Sequence, residues 1–315
     1  MARIRTIYAS DALYVGPTPA TGYHFTVPAN THPTNLTLAQ GQIFSSGDNK
    51  VVQLHRVQSC NYDFSFDRTP IYQFGGLAAK DRVILAPPRV NLGFSYILAN
   101  MWNESGLGFM TAPHISAISG ILNKTRDDKN YFLRTAGEGV DGQGDGSTNC
   151  VVMGVGNGFI TSYSIEAAVG GFPTVSIGVE GLNMMFQSGN SGIVPAVNPQ
   201  DGTQMNGVAY LLPTGLADAG TGNLAVSALR PGDIFFTIKK REGEDEGNVP
   251  DAQGDYDTVG TDLDTAAIQR CSINFSLGRE VIAKLGNRYG VSREIQFPVP
   301  VTVSVEALAG DLLSG

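Results

Sequence analysis

Along residues 57 to 66, VQSCNYDFSF, apolar and polar side chains take turns. Cys60, Tyr62, Phe64 and Phe66 fall on one side, and Ser59, Asn61, Asp63 and Ser65 on the other. A period of two predicts a strand with one buried and one wet face. The same pattern returns far downstream, where Cys271, Ile273, Phe275 and Leu277 alternate with Arg270, Ser272, Asn274 and Ser276. A shift of 211 positions lays residues 58–100 on 269–311 without a gap, with eleven identities in 43 positions. Both stretches run into Arg-x-x-Ile-x-x-[Phe/Leu]-Gly, from Arg68 to Gly75 and from Arg279 to Gly286. Apolar residues three apart followed by glycine predict a short helical turn or a tight corner. A second alternating strand follows in each copy. Val90, Leu92, Phe94 and Tyr96 are interleaved with Asn91, Gly93 and Ser95, and Val301, Val303, Val305 and Ala307 with Thr302, Ser304 and Glu306. Pro87 and Pro298 stand just before these strands, where a missing N–H does little harm. Any two amphipathic β units look somewhat alike, but corner, proline and strand falling in register favour an internal duplication.

Between the copies, GEGVDGQGDGS (137–147) reads as a glycine-rich connector. It divides the chain into a first unit at 1–136, a connector at 137–148 and a second unit at 149–315. Within the second unit, Thr174, Ser176 and Gly178 alternate with Val175, Ile177 and Val179 beyond Gly170-Gly171, which predicts a hairpin. The Gly-, Asn- and Pro-rich stretch 188–222 reads as irregular loop, and LRPGDIFFTIKK (229–240) as a strand after a Pro-Gly turn. Residues 241–264 form an acidic, mobile loop, and LYVGPTPATGYHFTVP near the N-terminus reads as a hairpin or an extended arm. Helix is scarce, with 115–124 the best candidate. The expected class is all-β with minor α: two similar β-sandwich or half-barrel units.

Composition supports many turns and few charges. The 315 residues include 39 glycines, and 16% are charged. The formal net charge of −8 opposes a protein that grips nucleic acid through its phosphates, which needs clustered Lys and Arg. It allows a wall past which nucleic acid slides. Cys60, Cys150 and Cys271 form no CxxC pair and read as small buried residues made in a reducing compartment. No signal peptide and no membrane-spanning run is expected, so the protein should stay soluble until it meets a partner.

Candidate chemistry is thin. His24, His32, His55 and His114 fit no metal-ligand spacing. GVGNG (154–158) precedes a strand and so offers no helix N-terminus to a phosphate. DGQGDGS lacks the ligand series of a calcium loop. No nucleophile elbow or Cys-His signature appears. The chain is therefore expected to be no enzyme and to need no cofactor or metal. Arg68 and Arg279, with Gly75 and Gly286, are corner and assembly candidates. Each Arg either forks onto a neighbouring subunit's carboxylate, pairs within its own chain, or stays solvated and merely covers apolar surface.

The stretch QLHRVQSCNYDFSFDRTPIYQFGGLAAKDRVILAPPRVNLGFSYILAN resembles the major tail tube proteins of tailed bacteriophages, and GGFPTVSIGVEGLN and SREIQFPVPVTVSVEAL have the same flavour. The resemblance covers 51–110, 158–186 and 268–310. It implies hairpins that join neighbours into a ring-shaped β-barrel, stacked rings forming a tube, and a lumen that conducts DNA during ejection. It also implies a place in the virion tail, with synthesis in the host cytoplasm. The partners implied are further copies of the chain and other tail proteins (terminator, tape measure, baseplate). DNA passes without tight binding, and no membrane is involved. A duplicated chain could supply six similar units from three copies, or six whole chains could form the ring.

Open strand edges invite association, and ring closure removes them. The residues expected to face the lumen are Ser59, Asn61, Asp63, Ser65, Asn91 and Ser95 in the first copy. In the second they are Ser272, Asn274, Ser276, Thr302, Ser304 and Glu306. Competing readings are a tail terminator, neck or baseplate ring protein of the same fold, a monomeric ligand-binding β-sandwich, and, least supported, a virion enzyme.

Overall fold

The computed structural model describes residues 6–17, 51–85, 89–99, 102–109, 121, 127–137, 150–189, 191–193, 195–198, 209–212, 228–230, 234, 268–282, 284–286 and 292–308. Most of the connector, the 115–124 helix, the 229–240 strand and the acidic loop 241–264 lie outside them. The described chain is nearly all strand, with one short helix, α1 (Trp102–Leu107).

The duplication is visible as architecture. The first copy consists of β3 (Val57–Ser65), β4 (Arg68–Ile71), β5 (Asp81–Ile84) and β6 (Arg89–Ile97). The second consists of β13 (Ile268–Ser276), β14 (Arg279–Ile282), β15 (Ser292–Ile295) and β16 (Val301–Ala307). β3 pairs with β6 and β13 with β16 in the same register, Phe64 opposite Val90 and Phe275 opposite Val301. The irregularity between Val57 and Ser59 recurs between Ile268 and Arg270. β4–β5 and β14–β15 are matching two-stranded ribbons.

The three-residue apolar spacing after each Arg is therefore not a helical turn. It is a short strand and the bend after it, closed by Gly75 at φ 88° and Gly286 at φ 86°. Those are left-handed values that a Cβ disfavours.

The remaining strands bind the two copies into one sheet system. They are β1 (Thr6–Pro17), β2 (Val52–Gln53), β7 (Lys129–Gly137), β8 (Val151–Ala168), β9 (Thr174–Gly181), β10 (Asn183–Ser188), β11 (Ser191–Ile193) and β12 (Ala209–Leu211). β1 extends along β7, and β11 and β12 form a small ladder inside the stretch expected to be irregular. The β8–β9 hairpin forms as expected and turns at Gly170, φ 86°.

β8 serves two leaves. Its first half pairs with β7 and β10, and its second half with β9 and β13. One leaf is thus β2-β1-β7-β8-β10, and the other is a six-stranded antiparallel run, β3-β6-β9-β8-β13-β16. Side chains from both leaves meet in a common core: Leu13, Tyr131, Leu133 and Val155 from one, and Leu92, Phe94, Ile177 and Phe275 from the other. Gly156 in β8 allows Pro195 and Ala196 to cross the strand, since a Cβ there would lie 2.5 Å from Ala196 N. Asn157, at φ 49°, fastens the crossing by accepting from Val197 N at 2.8 Å and donating to Asp128 at 2.9 Å.

Candidate functional site

Strand alternation sorts the six-stranded leaf into an apolar face over the core and a polar face turned to solvent. Across the polar face, directly opposed residues form rows. One row is Ser59, Ser95, Ser176, Ser164, Asn274 and Thr302. Another is Asn61, Gly93, Gly178, Ser162 and Ser276. A third joins Glu166, Ser272 and Ser304, and Asp63 faces Asn91. Glu306 lies opposite Arg270 and Ser65 opposite Arg89.

All twelve residues expected to line a lumen therefore lie on one face of one continuous sheet. The sequence reading missed the middle of that face: Ser162, Ser164, Glu166, Thr174, Ser176, Gly178 and Glu180. Ser162, Ser164 and Glu166 alternate with Tyr163 and Ile165, and Thr174, Ser176 and Gly178 with Val175, Ile177 and Val179; the second alternation, read only as a hairpin, was the available signal.

The face is hydroxyl- and amide-rich, with Arg270 paired and a single further exposed arginine, Arg89, at a strand end. Ser59 Oγ and Ser95 Oγ share a hydrogen bond of 2.6 Å, and Ser164 Oγ donates to Asn274 Oδ1. Arg270 donates to Glu166 in an exposed pair across β13 and β8. Glu180 is held by Arg293 at 2.9 Å. Short uncharged groups dominate, so the face offers no cluster of cations on which phosphates would lodge.

On the opposite face, the core covers only the middle strands. Val90, Leu92, Val175, Ile177 and Phe275 are buried. The flanking strands continue the same apolar face without cover. Tyr62 is 46% and Phe64 41% exposed on β3, and Val301 is 51% and Val303 50% exposed on β16. The expectation of a buried apolar face thus fails at both ends of the leaf: the face is apolar, but the described residues do not bury it. Among the described residues, β3 pairs only with β6 and β16 only with β13, so both margins are open.

The rows are also staggered. Cys60 corresponds to Cys271 in the duplication. Yet the row starting at Cys60 passes through Phe94, Ile177 and Tyr163 and reaches β13 at Phe275, four residues beyond Cys271 and four strands away.

The two corner arginines behave differently. Arg279, 4% exposed, donates to Asp127 and to Ile160 O at 3.1 Å, with its guanidinium 5.0 Å from the Phe159 ring centroid. Arg293 stacks on the same ring at 5.6 Å. Their counterparts Arg68 and Arg82 are exposed. Arg68 lies over its own neighbour Phe66 at 4.8 Å, and among the described residues neither guanidinium reaches a carboxylate. The alternatives left open for the corner arginines thus resolve on the intramolecular side for Arg279.

Cys150 is buried while Cys60 and Cys271 are half-buried, all three as free thiols. Burial, reinforced by Asp11, pushes the Cys60 thiol up to about 12. Among the described residues, no three His, Cys, Asp or Glu side chains gather as metal ligands, and no helix is long and apolar enough to cross a membrane.

Beneath the leaf sits a buried carboxylate. Glu104 of α1 is 2% exposed and accepts from Tyr96 OH at 2.6 Å and Tyr163 OH at 3.2 Å. Desolvation outweighs these bonds and raises its pKa. A raised acid pKa means that the folded state holds its proton more tightly than the unfolded state. The stabilising contribution is then full below the ordinary Glu value and is lost as pH rises through the folded value. Thermal melts at stepped pH should show stability falling over that window, with a shallower slope in Glu104→Gln. Equal slopes would refute a titrating Glu104.

No protein-family model matches the chain, and no curated protein matches it. Among solved structures, a cryo-EM structure of the anti-feeding prophage cap, its tube-terminating cap, is similar at 13% identity and a TM-score of 0.32. The match covers 60% of this chain and 94% of that one.

Proposed function

We propose that the chain is a structural tube subunit of a phage-type tail, closing head to tail into a ring whose polar sheet face lines the channel. The open margins carry this reading. β3 and β16 run in opposite directions at the two ends of a six-stranded antiparallel leaf. A second copy placed with its β3 against β16 therefore prolongs the alternation without a break, and a closed ring leaves no edge.

The stagger supports closure. Four residues over four strands is one residue per strand. That is the ratio of an eight-stranded barrel of shear eight, whose strands tilt by about 36°. The duplication makes the fit repetitive, because the β3–β6 pair that follows β16 is the structural counterpart of the β13–β16 pair before it.

The function follows from the lining. Serine, asparagine and threonine rows with few and scattered cations give a wetted wall that a duplex passes without strong phosphate contacts. The proposed partners are further copies of the chain and the other tail components, in the virion tail. No catalytic role or cofactor is proposed.

Negative-stain microscopy with light-scattering mass on the purified protein tests the reading. Rings or stacked tubes with an open centre are expected. Single rings that never stack would favour a terminator, neck or baseplate component. A monomer at the highest attainable concentration would overturn the proposal in favour of a self-contained β-sandwich.

A further inference from the structure

The duplicated ribbons have the same arginines but different surroundings. In β14–β15, Arg279 and Arg293 share a ribbon face with Val281 and Ile295. Its two arginines are seated on their own chain, both guanidiniums near the Phe159 ring with Asp127 and Glu180 as counter-ions, while Val281 stays exposed. In β4–β5, Arg68 and Arg82 occupy the matching positions with Ile84 and Pro70. Here the face is bare: Ile84 is 50% exposed, and both arginines are exposed. A seat of two carboxylates and an aromatic ring exists for one ribbon; among the described residues the guanidiniums of the other meet no carboxylate, and only the neighbouring Phe66 ring lies under Arg68.

The reverse face of β14–β15 offers two carboxylates. Glu280 and Glu294 stand directly opposite each other, both exposed, and among the described residues neither meets a cation. Like charges opposed across a ladder destabilise it, so a cationic partner would relieve the pair. Ribbon order supplies the partner's direction. β14–β15 sets its arginine face on β8 and β9, so its glutamates look away from those strands, and β13, from which the ribbon springs, is the strand paired with the β16 margin. A second copy joining at that margin brings its β4–β5 ribbon to the same side, with its arginine face leading.

We infer that Arg68 and Arg82 of each copy dock on Glu280 and Glu294 of the next copy, repeating between chains the guanidinium–carboxylate pairing that Arg279 and Arg293 make within one. Bidentate guanidinium–carboxylate contacts at two points fix the angle between subunits as well as their order. This inference rests on the ring reading and adds the residues that lock it.

The test is a charge swap read by light-scattering mass and chemical cross-linking, with circular dichroism confirming that each variant is folded. R68E/R82E and E280R/E294R should each raise the concentration needed for assembly at least tenfold. An equimolar mixture of the two should restore association, because each defective ribbon then meets a complementary seat on the other variant. The quadruple variant should restore it in a single chain. Should a reversed pair prove poorly folded, R68Q/R82Q and E280Q/E294Q give the same comparison in milder form. Double variants that assemble like the wild type, or a mixture and a quadruple variant that both fail to recover, would overturn the docking while leaving the ring intact. A wild type that is itself monomeric would instead strike the ring reading, a result that involves none of these variants.

Discussion

Phe64→Asp combined with Val303→Asp should yield a folded monomer that no longer assembles. Both side chains belong to the apolar face of the six-stranded leaf, yet they are 41% and 50% exposed, because the core stops short of β3 and β16. In the isolated chain the aspartates face water, and the cost to folding should stay under about 1 kcal/mol, as for ordinary surface changes. In a ring the two flanks meet and their apolar surfaces become continuous. Each aspartate then loses water without gaining a counter-ion, a penalty of several kcal/mol per buried charge. Repeated at every junction, this exceeds what a single interface would tolerate. Light scattering on the variant should give the mass of one chain under conditions where the wild type forms large species. Assembly at wild-type concentrations would mean that β3 and β16 are ordinary solvent margins.

Asn61→Lys combined with Asn274→Lys should leave assembly intact and turn a wall that ignores DNA into one that holds it. The two asparagines lie in neighbouring rows of the polar face, among serines and glycines, with no cation next to them except the Glu166-bound Arg270 on β13. Two lysines per chain, multiplied around a ring, would place a band of positive charge at one height of the channel. Binding of duplex DNA should then appear at low salt and fade as salt rises. Its logarithmic slope should be near −0.9 for every phosphate neutralised. DNA retention by assembled wild type and variant at 50 mM and 200 mM salt checks this. Ejection from particles carrying the variant should be slowed or blocked. A variant that forms rings but retains no more DNA than the wild type would remove this face from the channel.

The sequence showed more of the repeat than of its setting. Alternation around Cys60 and Cys271 located β3 and β13, and the 211-residue offset reproduced even their ladder irregularities. Gly75 and Gly286 marked real left-handed corners. Alternation states which side of a strand is apolar. It does not state whether the same chain supplies the cover, which is why Tyr62 and Phe64 read as buried and stand exposed.

The spacing Arg-x-x-Ile suited a helical turn, yet Arg68 and Ile71 belong to a four-residue strand whose ladder to β5 outweighs local spacing. The helix α1 escaped notice because six residues containing Asn, Ser and Gly give no periodic signal. The seat of Arg279 and Arg293 was illegible for a different reason. Asp127 precedes β7 while Phe159 and Glu180 belong to β8 and β9, and the pairing of β8 with β7, β9 and β13 brings them beside β14.

The double service of β8 has a mechanical side. A single backbone runs for 18 residues through both leaves, bonded to β7 and β10 in its first half and to β9 and β13 in its second. A pull on one leaf is therefore carried as tension along covalent bonds into the other, in a direction where many ladder hydrogen bonds must shear together. Walls built from such subunits would resist delamination under internal pressure, and would yield first at the seams between chains.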